Sequence, residues 1–106
     1  MSRKVRGVLR ELRRRLEALY GKRFVKLVVF GSQARGDANV DSDIDVLVVL
    51  KGNVNPFEEI ERGGIVTAAV SLEQDVAIST VYVSEERYQK GTSGLLANVR
   101  AEGMSI

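Results

Sequence analysis

Apolar and polar positions along the chain predict helices and strands in turn. Between Val5 and Leu19 apolar residues recur every three or four positions with arginines between them, and Gly21 follows. This spacing predicts an amphipathic helix that stops at the glycine. The segments 24–30 (FVKLVVF) and 44–50 (IDVLVVL) are short and rich in β-branched residues, so both predict largely buried strands.

The middle of the chain predicts a second helix and a third strand. Pro56 opens a helical stretch that continues to about residue 72. Gly63 and Gly64 lie inside it and are expected to kink the helix or to split it in two, because glycine is a poor helix former. The segment 76–83 (VAISTVYV) predicts the third strand.

The C-terminal segment predicts one more helix. Ser84 precedes two acidic residues and has the character of an N-cap, and Gly91 to Gly94 are expected to interrupt the helix. The chain contains no internal repeat, low-complexity segment or linker. We therefore expect a single domain, residues 1–106.

The composition restricts the chemistry that is open to this chain. It has no cysteine and no histidine, which removes thiolate chemistry and the commonest general base and zinc ligand. Catalysis would have to use carboxylates, hydroxyls, cations and a hard metal ion. No apolar run reaches the roughly 18 residues of a membrane span, and the basic start does not resemble a signal peptide, so a cytoplasmic location is expected.

Charge is distributed unevenly, although the net charge is only +2. Residues 1–26 carry ten Lys and Arg against Glu11 and Glu17, which leaves the remainder at −6. A basic segment of this kind can face phosphate or an acidic partner, or it can be an ordinary solvated helix face. Both interpretations stay open, and nothing indicates nucleic acid as a partner.

The most informative stretch is Phe30 to Val49 (FGSQARGDANVDSDIDVLVV), which begins with a predicted phosphate-binding turn. Gly31 follows a strand directly, so its backbone can approach a ligand closely. The residues after it can direct free N–H groups and the Ser32 hydroxyl at a phosphate. Arg35 adds a cation nearby. These residues predict a site for a phosphorylated ligand.

Two aspartates enter the next predicted strand and indicate a metal site. Asp43 and Asp45 are two positions apart, so their side chains leave the same face of the strand about 6.6 Å apart. Ile44 between them points into the core. Magnesium prefers oxygen ligands and is commonly held by a carboxylate pair together with substrate phosphates.

Two other interpretations of this stretch are weaker. Asp41, Asp43 and Asp45 could form a calcium loop or simply solvate a turn, but the glycine and glutamate of an EF-hand do not follow and a strand does. The tripeptide 35–37 (RGD) could suggest cell adhesion, but nothing else in the chain indicates an extracellular protein.

Gly31-Ser32, Gly36 and the run 42–45 (SDID) together resemble the minimal nucleotidyltransferases of the DNA polymerase β superfamily. The hallmark of that family is a GS turn followed about ten residues later by a D-x-D pair. The resemblance covers nearly the whole chain, with its strong motif confined to residues 30–49. It implies an α/β nucleotidyltransferase fold, with a small mixed sheet and helices packed on one face.

The resemblance also implies a triphosphate site. Gly31, Ser32 and Arg35 would contact the phosphates of a nucleoside triphosphate, with ATP as the expected substrate. Asp43 and Asp45 would hold Mg²⁺ as the cofactor while a hydroxyl attacks the α-phosphorus.

The chain departs from the family pattern at the third carboxylate. In active members this acid lies on a later strand and faces the D-x-D pair, and Ser79 occupies that place here. Asp75 is the nearest acid on the predicted strand face and is therefore a catalytic candidate. However, four residues put it roughly 13 Å from Ser79, and it could instead be a surface acid that opens the strand.

Short stand-alone relatives resemble antitoxins whose partner is a helical HEPN-type ribonuclease, and the implied activity is transfer of AMP to a tyrosine of that partner. One alternative is a catalytically silent subunit that binds nucleotide and neutralises or supplements a helical partner by contact. Another is an aminoglycoside-type nucleotidyltransferase completed by a second chain. Homo-oligomerisation stays open. The basic first helix and the apolar Leu95, Leu96 and Val99 are candidate docking surfaces, or ordinary solvated face and core.

Overall fold

The computed structural model describes all residues, Met1–Ile106, as a four-stranded mixed sheet with helices on both sides. The strands are β1 (Phe24–Phe30), β2 (Ile44–Leu50), β3 (Ile78–Ser84) and β4 (Met104–Ser105), in the order β3-β2-β1-β4. β1 pairs antiparallel with β2 and with β4, whereas β2 and β3 are parallel. The expected α/β class with a small mixed sheet is confirmed.

Five α-helices connect and flank the strands. They are α1 (Arg3–Tyr20), α2 (Ser32–Arg35), α3 (Pro56–Gln74), α4 (Glu85–Lys90) and α5 (Gly94–Glu102), and a 3₁₀ turn at Gly21–Arg23 follows α1. Side chains cap four of these helices by accepting backbone N–H groups of the first turn, which is the preferred chemistry at helix starts: Ser2, Asn55, Ser84 and Ser93. No helix combines the length and the apolar character needed to cross a membrane.

The two long helices cover one face of the sheet. α1 buries Leu9, Leu12 and Leu16, and α3 contributes Val70 to the same cluster. Alternate residues of a strand point to opposite faces, so the even-numbered positions of β2 face this cluster: Ile44, Val46, Val48 and Leu50. The predicted amphipathic pattern of α1 is confirmed by its buried side.

The expectation that helices pack on one face only is wrong. Val28, Leu47 and Val49 point to the second face, where Leu96 and Val99 of α5 bury them in a separate cluster. β1 and β2 carry apolar side chains on both faces of the sheet. If helices covered only one face, the apolar side chains of the other face would be exposed to water. Leu96 and Val99, two of the three C-terminal apolar residues considered as a docking surface, therefore belong to the core.

The expected break in α3 does not occur. The helix continues through Gly63 and Gly64 without interruption. Gly63 is buried where α3 crosses β3, and a Cβ there would overlap the hydroxyl of Tyr82. The glycine therefore permits close helix–sheet packing, which outweighs its weak helix propensity.

The third strand begins at Ile78, two residues later than expected, and Asp75 does not lie on it. Asp75 ends α3 in the left-handed conformation (φ 54°), with its N–H bonded to the carbonyl of Ser71. Aspartate is among the few residues that adopt this conformation readily. The carboxylate therefore leaves from a turn and shares no strand face with Ser79.

Candidate nucleotide site

The centre of the candidate site is the contact between Gly31 and Asp45. Phe30, the last residue of β1, pairs directly with Asp45 of β2, and the chain turns away at Gly31 with φ 71°. A Cβ on Gly31 would lie only 2.7 Å from Oδ2 of Asp45. Glycine is thus required both by the backbone conformation and by the carboxylate packed against it.

The turn after Gly31 opens a short helix, α2, where a polar loop was expected. Ser32 is its first residue, no side chain caps the helix start, and the Ser32 hydroxyl makes no hydrogen bond within the protein. The first N–H groups of a helix have no partner inside the helix. Donors therefore surround the end of β1 at the position where the motif predicts phosphate.

A cleft of about 410 Å³ collects most of the predicted site residues. Gly31, Ser32, Arg35 and Asp45 line it together with Phe30 and three residues of α5. Glycine, hydroxyl, guanidinium and carboxylate thus face one space, although they come from separate elements.

Arg35 is held in this cleft by two acidic side chains. Its Nε lies 3.3 Å from Oδ2 of Asp37, and its Nη1 lies 3.5 Å from Oε2 of Glu102 at the end of α5. The hydrogen bond that Arg35 donates to the Asp37 carboxylate is the main reason that the pKa of Arg35 is raised above its ordinary value. The side chain stays half exposed, so its guanidinium can still reach an anion in the cleft.

The loop that delivers Asp43 is closed by its own polar residues. The N–H of Asn39 donates to Oγ of Ser42 at 3.0 Å, and the N–H of Asp41 donates to Oδ1 of Asn39 at 2.9 Å. Short polar side chains that bond nearby backbone groups are typical of tight turns. The turn places Asp43, which is exposed, immediately before β2.

Asp45 and Asp43 influence each other electrostatically. Burial raises the pKa of Asp45 above its ordinary value, the charge of Asp43 raises it further, and Arg35 opposes both. Two neighbouring carboxylates that repel each other are stabilised by a cation between them.

Ser79 lies beside Asp45, because the two residues are paired in the parallel β2–β3 ladder. Asp75 instead lines a larger cleft of about 940 Å³ on the other side of α2, a cleft that Asp45 does not border. The structure contains no group of three or more acidic side chains arranged to hold a metal ion. Asp43 lies near enough to Asp45 for its charge to raise the pKa of that residue, but it does not line the cleft of Gly31 and Asp45, and Asp75 lies outside this cleft as well.

Sequence patterns did not predict the residues that α5 contributes to the cleft. Leu95, Asn98 and Glu102 line its outer wall. They reach it because Leu96 and Val99, on the opposite side of the same helix, pack on the sheet. No local motif marks them, and only the docking of α5 brings them to the site.

The chain combines a mixed sheet with a glycine turn that packs against a carboxylate. Comparison with known protein families identifies the class of protein that has these features. Residues 9–92 match the model of the nucleotidyltransferase domain. The chain therefore belongs to the nucleotidyltransferase domain family, a family of transferases that use a divalent metal ion. The resemblance drawn from the motifs is confirmed.

Individual relatives support the same assignment. A candidate protein adenylyltransferase of Methanocaldococcus jannaschii is 34% identical over 82 residues, 77% of this chain and 76% of that protein. A solved structure described as a candidate minimal nucleotidyltransferase has a TM-score of 0.64 at 25% identity, over 96% of this chain and 92% of the other. A toxin–antitoxin crystal structure with AMP-PNP shares the fold, with a TM-score of 0.61 at 19% identity, over 96% of this chain and 68% of the other.

The donor set fits a hard divalent metal. Asp43 and Asp45 offer only carboxylate oxygens, and a small cation held by two carboxylates completes its shell with water and substrate phosphate. The uncapped start of α2 and Arg35 line the same cleft as Asp45.

Proposed function

We propose that this protein binds ATP with Mg²⁺ and transfers AMP to a protein hydroxyl. The observation that carries the proposal is the contact of Gly31 with the Asp45 carboxylate inside a cleft that Ser32 and Arg35 also line. In a nucleotidyltransferase-family chain, this arrangement supplies donors for phosphate beside ligands for a metal.

Each site residue has a separate role in this proposal. Gly31 allows the triphosphate to approach the backbone, and Ser32 donates its hydroxyl and N–H to phosphate oxygens. Arg35, at the other end of the same short helix, neutralises phosphate charge. Asp43 and Asp45 hold Mg²⁺, which offsets the negative charge that develops on the reacting phosphates.

The reaction is a substitution at the α-phosphorus of ATP. The acceptor oxygen forms a bond to the α-phosphorus, the bond to the bridging oxygen of the β-phosphate breaks, and pyrophosphate leaves. The acceptor hydroxyl gives its proton to water. Such a reaction depends on positioning and charge neutralisation, which suits a chain without histidine or cysteine.

We propose a tyrosine of a helical, HEPN-type toxin partner as the acceptor, so that the protein acts as an antitoxin. The names of the Methanocaldococcus relatives describe protein adenylyltransferases, which supports a protein acceptor. The toxin–antitoxin neighbour with AMP-PNP supports a toxin partner and an adenine nucleotide.

The test is to co-express the chain with the product of its genomic neighbour, purify the pair, and add ATP labelled at the α-phosphate. We expect magnesium-dependent label on the partner, and no label after the acceptor tyrosine is changed to phenylalanine. Label on a small-molecule acceptor without any partner would contradict the antitoxin proposal. Label on the partner that resists this substitution would contradict the tyrosine assignment.

A silent nucleotide-binding subunit is the second candidate function. It is favoured by Ser79, which stands beside Asp45 where active relatives are expected to have an acid. In the same experiment, a silent subunit would co-purify with the partner and neutralise it without label. Asp43→Asn would leave that neutralisation unchanged.

The turn itself provides a further prediction. Gly31→Val should weaken ATP binding more than Arg35→Ala, because a side chain at Gly31 meets the Asp45 carboxylate and is strained at positive φ. We expect the affinity for ATP to fall at least about tenfold in the valine variant, which corresponds to about 1.4 kcal/mol of binding free energy or more. In the alanine variant the loss of binding free energy should be smaller than about 1.4 kcal/mol. Calorimetric titration with Mg·ATP measures both. Wild-type affinity in both variants would place the phosphates elsewhere.

A further inference from the structure

The outward face of α3 carries an apolar stripe that nothing in the chain covers. Four large hydrophobic side chains on this helix are exposed, at 81% for Phe57, 54% for Ile60, 76% for Ile65 and 86% for Leu72. The helical spacing puts Phe57, Ile65 and Leu72 on the side away from the sheet, with Ile60 at its flank and Glu61 between the apolar residues. We call these four residues the α3 stripe.

This stripe differs from ordinary scattered exposure. Single exposed hydrophobic residues are normal, whereas contiguous apolar patches on a protein surface mark interaction sites. Gly64 and Ala68 lie between the large residues along the same side of the helix and leave room for another helix to approach. The composition of the stripe therefore favours a helical occupant.

The charges of the two long helices are complementary. α1 carries seven Lys and Arg against two Glu, a net charge of +5, whereas α3 carries four Glu against one Arg, a net charge of −3. Four basic residues of α1 make no ion pair within the chain: Arg3, Lys4, Arg6 and Arg10. One helix thus has unpaired positive charge, and the other has an acidic apolar surface.

The two helices lie side by side on the same face of the sheet. Arg15 of α1 forms an ion pair with Glu73 of α3 at 2.5 Å, and both helices contribute to one core cluster. They have nearly equal lengths of 18 and 19 residues. Their outward sides therefore form one layer, basic on one half and apolar and acidic on the other.

We propose that this layer is the interface of a homodimer, in which α1 of each copy lies across the α3 stripe of the other. A two-fold axis parallel to the helices achieves this, because it places each half of the layer on its complement. A second copy of the chain would therefore cover the α3 stripe and pair the basic residues of α1 in the same contact. The proposal does not depend on nucleotide binding.

The chemistry of the contact follows from the side chains. The aliphatic stems of arginines on α1 would cover the α3 stripe, while their guanidinium groups reach the acidic flanks of the same helix. Two helices about 27 Å long and together about 20 Å wide offer roughly 500 Å² per copy. This area lies near the lower limit of specific interfaces, so we expect a dimer with a micromolar dissociation constant that weakens in high salt.

The experiment is sedimentation equilibrium of the whole chain over a concentration range that spans the micromolar region. We expect monomer at the lowest concentrations and dimer at the highest. Leu72→Lys and the double variant Arg6→Glu with Arg10→Glu should each raise the dissociation constant at least tenfold. Gln89→Lys, an exposed change on α4, whose Tyr88 packs on the other face of the sheet, is the matched control and should dimerise like wild type.

Mixing the two interface variants tests the arrangement itself. In a mixed dimer one α1–α3 contact is wild type, and the other brings an introduced glutamate against an introduced lysine. We therefore expect the mixture to dimerise at protein concentrations at which each variant alone is monomeric. Ile65→Lys, also at an exposed position, serves as a second α3 variant should Leu72→Lys lose its fold by circular dichroism. A chain that stays monomeric throughout, or variants that dimerise like wild type, would overturn the proposal.

Discussion

Replacing Asp43 and Asp45 together by asparagine is expected to abolish magnesium-dependent ATP binding while the fold survives. Asparagine has nearly the shape of aspartate, so it fits against Gly31, but it lacks the negative charge that holds the metal. Loss of a metal–phosphate contact costs several kcal/mol, so we expect affinity to fall by at least about a hundredfold. Calorimetric titration with ATP, with and without magnesium, measures the loss.

The control for this prediction is Asp41→Asn. Asp41 is an exposed acid of the same loop, and, unlike Asp43, it is not among the charges that raise the pKa of Asp45. We expect it to bind Mg·ATP within about twofold of wild type. Circular dichroism and the denaturation midpoint show whether each variant is folded. Equal binding by the double variant would exclude the two aspartates as the metal site.

Glu59→Ala is expected to lower the free energy of unfolding more than any other single change of a charged residue. Glu59 is 1% exposed, and its carboxylate accepts hydrogen bonds from Tyr20, Arg23 and Arg62, each at 3.0 Å. Burial and the bond to Glu59 raise the pKa of Tyr20 above its ordinary value, so its hydroxyl remains a donor. This network joins α3 to the end of α1 and to the 3₁₀ turn that precedes β1.

Alanine at position 59 would leave the Tyr20 hydroxyl buried without an acceptor and two arginines without their partner. We expect the free energy of unfolding to fall by about 3 kcal/mol, and the melting temperature by roughly 10 to 20 °C. Urea denaturation measures the change. Glu58→Ala, an exposed neighbour in the first helical turn, should cost less than about 1 kcal/mol. Similar losses for both variants would show that the buried network is not the cause.

The features that the sequence predicted well depend on local chemistry. β1 and β2 lie at the expected residues, because short β-branched runs bounded by glycine and polar turns favour strands in most environments. α1 ends before Gly21 as its apolar period and stop signal indicate. The motif residues Gly31, Ser32 and Asp45 share one cleft, since they are close in sequence and join two paired strands.

The errors arose where a distant contact outweighed a local preference. Gly63 and Gly64 were expected to kink α3 or to split it in two, but at Gly63 the hydroxyl of Tyr82 requires a residue without a Cβ. Asp75 was expected on a strand, but the helix before it continues to Gln74 and ends in a left-handed turn. Helices were expected on one face only, although the apolar residues of β1 and β2 need cover on both faces.

By itself, the sequence determined the family and the main strands and predicted the residues of the candidate site, because these follow from short-range patterns and from side-chain chemistry. Only the tertiary structure decided that α5 closes the cleft with Asn98 and Glu102, and that Arg35 is held by Glu102. It also decided that Ser79 stands beside Asp45. These contacts join segments far apart in the chain, and they are selected by the burial of both sheet faces, which no local pattern contains.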